Sequence, residues 1–308
     1  SYNRELLKTI LDRSIHLIDY EVLTDENGNR VIAFGHFAGM VGAHNAIWTY
    51  GKKTGLFEIQ RMYRFFDYSE AKEFYRSLSI PPIRIVLTGK GRVAGGAAQV
   101  LMEMGIKNVK PTDFLQKKFD QPVFTQIGPL DYAKRTDNKK FTLNDFFEHP
   151  SEFNSAFFPY ASCSDVFING IYWDPEAPAF FSKADMKSSD FAIKVIADVT
   201  CDIAPDASIP STLRATSIAD PVFGYDPCSQ KEIEPYSTES IDVMSIDNLP
   251  NEMPRDASNA FGEQFIKHVL PELSHMKSSG MITRGSIAKD GLLTKQFEYL
   301  AGFVAGDE

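Results

Sequence analysis

Residues 88–97 read Thr-Gly-Lys-Gly-Arg-Val-Ala-Gly-Gly-Ala, a glycine-rich turn between the apolar run Ile83–Leu87 and a helix-forming stretch ending at Gly105. The chemistry that suits it is anion binding. Gly89 permits a tight turn, Gly91 lets a pyrophosphate approach the backbone, and Gly95 lets the helix pack on the strand, with Arg92 and Val93 between them. The helix N-terminus adds N–H donors and a partial positive charge. The spacing is one residue longer than the GxGxxG fingerprint, so a purely structural turn remains the alternative.

Carboxylates at matching places extend this chemistry. Asp113 follows Gly91 by 22 residues, where an acid binds ribose hydroxyls and favours NAD. A solvated loop aspartate is the plain alternative, and Lys107 and Lys110 keep NADP open. Asp198-Val199-Thr200-Cys201-Asp202 ends an apolar run, and an aspartate at a strand's carboxyl end can meet a nicotinamide ribose or a substrate ammonium, or merely cap a helix. Asp247-Asn248-Leu249-Pro250 lies between a strand pattern and a helix pattern.

Other chemistries find no support. His16, His36, His44, His149, His268 and His275 lack metal-ligand spacing and read as packing or surface residues, and Cys163, Cys201 and Cys228 are too scattered for a zinc site or a disulfide framework. The formal charge of −9 disfavours nucleic acid or an anionic membrane as partner. No apolar run is long enough to span a bilayer. A cytoplasmic protein with a small-molecule substrate is expected.

These residues need elements to position them. Periodic apolar residues predict a helix over 4–18, short strands over 19–23 and 30–34 around the turn 25–29, and a helix from Gly35 whose small residues admit another backbone. A connecting helix is expected over 58–78. Strand, glycine turn, helix and strand over 83–110 make a βαβ unit and hence a parallel sheet. Residues 116–160 read as a polar insertion with its tip at 137–140. Strands follow at 165–169, 191–198 and 241–246, then a helix from Pro254 to about 269 and two short helices over 277–308.

Six stretches, in order, resemble the lysine-forming saccharopine dehydrogenase and lysine–2-oxoglutarate reductase family, related to alanine dehydrogenase. They are Leu17–Glu21, Arg30–Gly35 with Ala38-Gly39, Thr88–Gly96, Phe167–Trp173, Ala197–Asp202 and Ser245–Pro250. The region near 119–164 is more similar to the reductase half of the bifunctional lysine-degrading enzyme. The resemblance implies an α/β protein with two Rossmann-like lobes, a parallel sheet in the dinucleotide-binding lobe, and reversible hydride transfer at a C–N bond with NAD, or alternatively NADP. It implies that Arg30 grips a substrate carboxylate, that Glu21 tunes the catalytic bases, and that Asp247, with Leu249 in its loop, lies at the nicotinamide end. Asn169, Tyr172 and Asp198 would fall in cofactor-facing loops.

The family's catalytic lysine and histidine lie upstream of the stretch matching Ser1-Tyr2-Asn3, so the first lobe is expected to be incomplete, with an apolar edge that a homo-oligomer contact would cover. The implied domains are 1–55 for the remaining first lobe, 56–80 for a connector, 81–246 for the dinucleotide-binding domain and 247–308 for helices returning to the first lobe. Two alternatives stay open: an alanine dehydrogenase-like enzyme, and a nucleotide-binding module without its own catalytic pair.

Overall fold

The protein is described by a computed structural model covering residues 3–274 and 279–306. Ser1, Tyr2 and His275 lie outside the described residues. The chain divides into two compact units, one from Phe34 to Ala257 and one made of the residues up to Ala33 and from Ser258 onward.

The larger unit is built on an eight-stranded sheet. Its strands are β1 (Arg84–Thr88), β2 (Lys107–Asn108), β3 (Val123–Ile127), β4 (Val166–Asn169), β5 (Val195–Asp198), β6 (Phe223–Asp226), β7 (Lys231–Ile233) and β8 (Ile241–Met244). They lie side by side in the order β7-β6-β8-β5-β4-β1-β3-β2. The six from β8 to β2 are parallel, while β6 and β7 add an antiparallel hairpin at one edge. This is the mostly parallel α/β sheet that the sequence implies. Its central strands are apolar runs buried on both faces, as parallel strands under two layers must be.

Alternation assigns the two faces. Ile85, Leu87, Val166 and Ile168 face two helices, α1 (Gly35–Thr54) and α2 (Arg92–Glu103). Val86, Phe167, Ile196 and Val243 face a second core rich in phenylalanine. The small residues of α1 act as expected, because a Cβ at Gly39 would collide with the Val93 carbonyl of α2. Gly96, not Gly95, supplies the matching gap: a Cβ at Gly96 would collide with the His36 carbonyl, whereas one at Gly95 meets nothing within 4 Å. The role expected of Gly95, seating the helix on the strand, therefore falls elsewhere. Gly170 serves it, since a Cβ there would lie 3.2 Å from the Thr88 carbonyl and 3.3 Å from the Ala94 nitrogen.

Several expected elements differ. Strand β3 lies inside the range read as an insertion, and it adjoins β1 while β2 is pushed to the edge. Only the part after Gly128 leaves the sheet, as the helices Pro129–Tyr132, Leu143–Glu148 and Phe158–Ala161 with the small ribbon Ala133–Arg135 and Phe153–Ser155. The connector is not one helix. Gly55, in the left-handed region, ends α1, and Asp67 starts a fresh helix at Tyr68 by accepting from the Glu70 N–H.

In the smaller unit, Asp19 accepts from the Glu21 N–H and curls Tyr20–Val22 into a 3₁₀ turn where a strand was expected. The expected hairpin is reduced to one bridge, Thr24 with Arg30, around the Asp25–Asn29 turn. The segment from Met281 holds a hairpin between its two short helices, Ser286–Lys289 with Leu292–Leu293. Asp290 and Gly291 both have positive φ there, as a two-residue Asp-Gly hairpin turn demands. Among the described residues no helix is long and apolar enough to cross a membrane.

His44 is buried in α1. Its Nδ1 accepts from the Tyr75 hydroxyl at 2.7 Å, and its Nε2–H donates to the Gln60 carbonyl at 2.7 Å, the tautomer following from the carbonyl being an acceptor only. Burial pulls its pKa from the usual 6.5 to about 4. The unfolded chain binds a proton that the folded chain refuses, so this histidine's contribution is intact above pH about 6.5 and is lost as pH falls through 4. Its full size is of order 3 kcal/mol. Urea titrations should show His44→Gln to flatten the fall of unfolding free energy across this window; an unchanged slope would place the titration elsewhere.

Candidate functional site

The carboxyl edge of the parallel strands gathers most of the residues singled out by sequence. Thr88, Asn169 and Asp198 end β1, β4 and β5 in register with one another. All three are fully buried, and they form a hydrogen-bonded row. Thr88 Oγ1 donates to Asn169 Oδ1 at 2.8 Å, and Asn169 Nδ2 donates to Asp198 Oδ1 at 3.1 Å and to Ser208 Oγ at 3.0 Å. Asp198 also accepts from Thr200 Oγ1 and Thr212 Oγ1, each at 2.7 Å. Desolvation holds its carboxyl above the usual range, against the pull of those donors. Asn169 and Asp198 were expected to face a cofactor. Instead their polar atoms are engaged with protein, and they position the loops that follow them.

The glycine turn stands at the end of β1. Gly89 has φ +99, a conformation that favours glycine, and a Cβ there would sit 2.5 Å from the Gly170 carbonyl. The Ile127 carbonyl accepts from the Gly89 N–H at 3.0 Å, and Gln126 Nε2 donates to the Gly89 carbonyl at 2.9 Å. Gly91 is the N-cap of α2 and offers no side chain to cap it. A Cβ on Gly91 or Gly95 meets nothing within 4 Å. The first turn of α2 is therefore uncovered by protein on these sides, the shape an anion cradle needs. Arg92 is exposed, while the Val93 side chain packs against Gly35 and Gly170.

The structure places the remaining residues as follows. Asp113 is not at the end of the strand beside β1, because β3 occupies that place. It sits in the helix Pro111–Gln116 after the edge strand β2, paired with Lys117 at 3.0 Å. The polar hollow at this end is lined by Lys90, Asn108, Lys110 and Gln126 with Val109 and Pro111, and no carboxylate is among them. Leu249 is core, not surface: it lies against α1 beside Gly42. Asp247 is exposed at the end of β8. Its loop is pinned by the buried Glu252 carboxylate, which pairs with Arg61 and accepts from Asn45 Nδ2 at 3.0 Å.

Cys201, beside these acids, has φ +58. Its Sγ lies 3.0 Å from the Ser245 carbonyl, and burial, helped by Asp198, Asp247 and Asp202, pushes the thiol up to about 11.

Next to the glycine turn lies an apolar cavity of about 580 Å³. Gly89, Lys90 and Gly91 form one wall, the short helix after β3 (Leu130 and Tyr132) and the loop after β4 (Ile171, Tyr172 and Trp173) form others, and Phe146, Phe147 and Phe180 close it. Of these, Gly89, Gly91 and Tyr172 were singled out from sequence, and the aromatic walls apart from Tyr172 were not. The signal available was the density of aromatic residues between Phe141 and Phe181, of which the part up to 160 was read as a polar insertion.

In the smaller unit, Arg30 pairs with Glu21 at 3.6 Å, both about half exposed.

No family model matches the chain. It is 27% identical to the mitochondrial α-aminoadipic semialdehyde synthase of Rattus norvegicus over 97% of its own length and 37% of that protein's. It is also 26% identical to the saccharopine dehydrogenase (NAD⁺, L-lysine-forming) of Neurospora crassa, over 82% of this chain and 60% of that one. The chain thus spans little more than a third of the first of these relatives. In fold it is similar to an L-alanine dehydrogenase, with a TM-score of 0.56 at 12% identity over 98% of this chain and 72% of that one. A transhydrogenase from Sinorhizobium meliloti gives a TM-score of 0.54 at 9% identity, covering 95% and 72%. By sequence, then, this chain is a relative of the α-aminoadipic semialdehyde synthases and lysine-forming saccharopine dehydrogenases, carried on an alanine dehydrogenase-like Rossmann fold.

Proposed function

We propose that the chain is part of an amino-acid dehydrogenase of lysine metabolism that interconverts saccharopine with lysine and 2-oxoglutarate. The observation that carries the reading is the uncovered glycine turn, where Gly91 and Gly95 face open space at the start of α2. A dinucleotide pyrophosphate fits there, with Gly89 shaping the turn and the α2 N-terminus opposite the negative charge. When bound at the turn held by Gly89, Gly91 and the α2 N-terminus, the dinucleotide would supply a hydride acceptor for the carbon bearing the secondary amine. The chain's own residues do the holding. Thr88, Asn169 and Asp198 fix the loop origins, and Glu252 with Arg61 fixes the loop that carries Asp247.

Arg30 is the residue for a substrate carboxylate, a task suited to a bidentate guanidinium. Its exposed pair with Glu21 is worth only about 0–1 kcal/mol. Exchanging that partner for a substrate carboxylate therefore costs little, and Glu21 stays beside the new charge pair.

For the cofactor we favour the phosphorylated dinucleotide. Lys90, Lys110, Asn108 and Gln126 line the hollow at the end of β2 and β3, where a carboxylate would repel a 2′-phosphate and two lysines attract it. This differs from NAD⁺, which the name of the Neurospora relative gives for that protein.

Three measurements test the reading. Saccharopine-dependent reduction of NADP⁺ and NAD⁺, followed by nicotinamide absorbance beside the same assay with alanine, should show activity with saccharopine. Activity with alanine alone, or no binding of either dinucleotide, overturns it. Gly91→Val should abolish dinucleotide binding while leaving the unfolding midpoint nearly unchanged, because a Cβ at this position meets no protein atom within 4 Å; unchanged affinity would make the turn merely structural. The double variant Lys90→Glu with Lys110→Glu should weaken NADPH binding at least about tenfold relative to NADH. Equal losses for both would remove the 2′-phosphate assignment.

A further inference from the structure

We propose that a second cavity, at the opposite edge of the same sheet, binds a free α-amino acid as its zwitterion. Its volume of about 560 Å³ falls within the range of about 300–1,000 Å³ usual for small-molecule sites. No residue of the glycine turn or of the carboxyl edge lines it, so the proposal stands apart from the dinucleotide reading.

The sheet fixes the position. Asp165, Lys194 and Ile241 line the cavity. They stand at the starts of β4, β5 and β8, the strands whose far ends lead to Asn169, Asp198 and Asp247. At about 3.3 Å per residue, Lys194 is about 13 Å from Asp198 along β5, which keeps a molecule here clear of the carboxyl edge. The loop between β7 and β8 forms another wall and is held by Lys53 of α1. That lysine's side chain is only 7% exposed. It donates to the Ser237 carbonyl at 2.7 Å, the Ser240 carbonyl at 2.8 Å and Ser240 Oγ at 3.0 Å, with Asp242 at 3.4 Å. Its three N–H donors are thereby used, so Lys53 is a clamp. What it clamps is the tip between the two serines, Thr238 and Glu239.

Two groups of opposite charge are left over. Lys194 is anchored by its backbone N–H to the Asp165 carbonyl at 2.9 Å and by Nζ to Asp165 Oδ1 at 3.0 Å. Its side chain nevertheless stays 48% exposed, and an ammonium with three donors has capacity for a further acceptor. Asp165 is already engaged, because its Oδ2 also accepts from the Arg84 N–H at 3.0 Å. Glu239 and Thr238 are exposed, and among the described residues neither side chain has a partner. The cavity thus offers an ammonium, a carboxylate and a hydroxyl, with apolar surface from Met186, Phe191, Pro227 and Tyr236. An α-amino acid carries the matching parts: a carboxylate for Lys194, an ammonium for Glu239 and an aliphatic side chain for the apolar wall. A simple acid or a simple amine would answer one charge and leave the other partly desolvated without a partner.

The probe is L-leucine, compared with L-leucinamide, which lacks the carboxylate, and 4-methylpentanoate, which lacks the ammonium. Calorimetric titration of the full chain should show one leucine bound per chain, with the same affinity whether NADPH is present or absent. Both analogues should bind at least about tenfold more weakly, the usual loss when a charge-assisted hydrogen bond is removed. Glu239→Gln and Lys194→Met change exposed side chains, so both should keep nearly the parent's unfolding midpoint. Each should lose about tenfold or more in affinity for leucine, while Arg30→Ala, in the smaller unit, binds it as the parent does. Absence of binding at millimolar leucine overturns the proposal. So does affinity undiminished in either cavity variant, competition by NADPH, or loss of binding in Arg30→Ala, each of which would put leucine elsewhere. An analogue that binds as tightly as leucine overturns it too, because the cavity would then not be reading a zwitterion. None of these results bears on the glycine turn, which Gly91→Val tests separately.

Discussion

Three parallel strands end together on Thr88, Asn169 and Asp198, and the site depends on that buried row. Polar groups at this depth carry a heavy desolvation cost unless each finds a partner. Here Asn169 uses its carbonyl oxygen for Thr88 and its amide hydrogens for Asp198 and Ser208, and Asp198 gathers Thr200 and Thr212. The row therefore tolerates little displacement. The loops after β4 and β5 start from fixed points, and the chain from Ser208 to Thr212 is held to the same row. An edge built this way can leave outward-facing groups exposed without losing their placement.

The second constraint is steric. Helices α1 and α2 cross so closely that Gly39 and Gly96 lie against each other's backbones. That crossing sets where the first turn of α2 points, and with it the orientation of Gly91 and Gly95. Gly170 meets the same turn from the other side, next to the Thr88 carbonyl and Ala94 nitrogen. The turn is thus clamped on two sides by backbone and left uncovered at Gly91 and Gly95.

The two faces of the sheet divide the labour. The helical face holds a mixed aliphatic core. The opposite face is packed by phenylalanines from β4, the segment after Gly128 and the loop after β4, among them Phe167, Phe157, Phe180 and Phe181 at ring separations of 4.7 to 6.1 Å. Such rings pack edge to face as well as stacked. At the carboxyl edge this aromatic layer stops short of the glycine turn, and the gap is the cavity.

The sequence by itself determined the parts that depend on local pattern. The apolar runs of β1, β4, β5 and β8, the glycine turn with its helix, and the small-residue face of α1 follow from side-chain period and backbone freedom, which are properties of neighbours along the chain. The six matching stretches disclosed the relatives for the same reason. What the tertiary structure alone decided is which residue meets which across the fold. Asp113 reads as a ribose ligand only if β2 adjoins β1, and strand order placed β3 there. Asn169 and Asp198 read as cofactor ligands until their strands are laid side by side, when they pair with each other. Gly95 and Gly96 are equivalent in sequence, yet one faces space and the other a carbonyl, because a helix turns about 100° per residue and only packing says which side is covered. The aromatic residues between 141 and 181 show no period that marks a cavity. A pocket belongs to surfaces from separate segments, and its walls exist only once the sheet has brought them together.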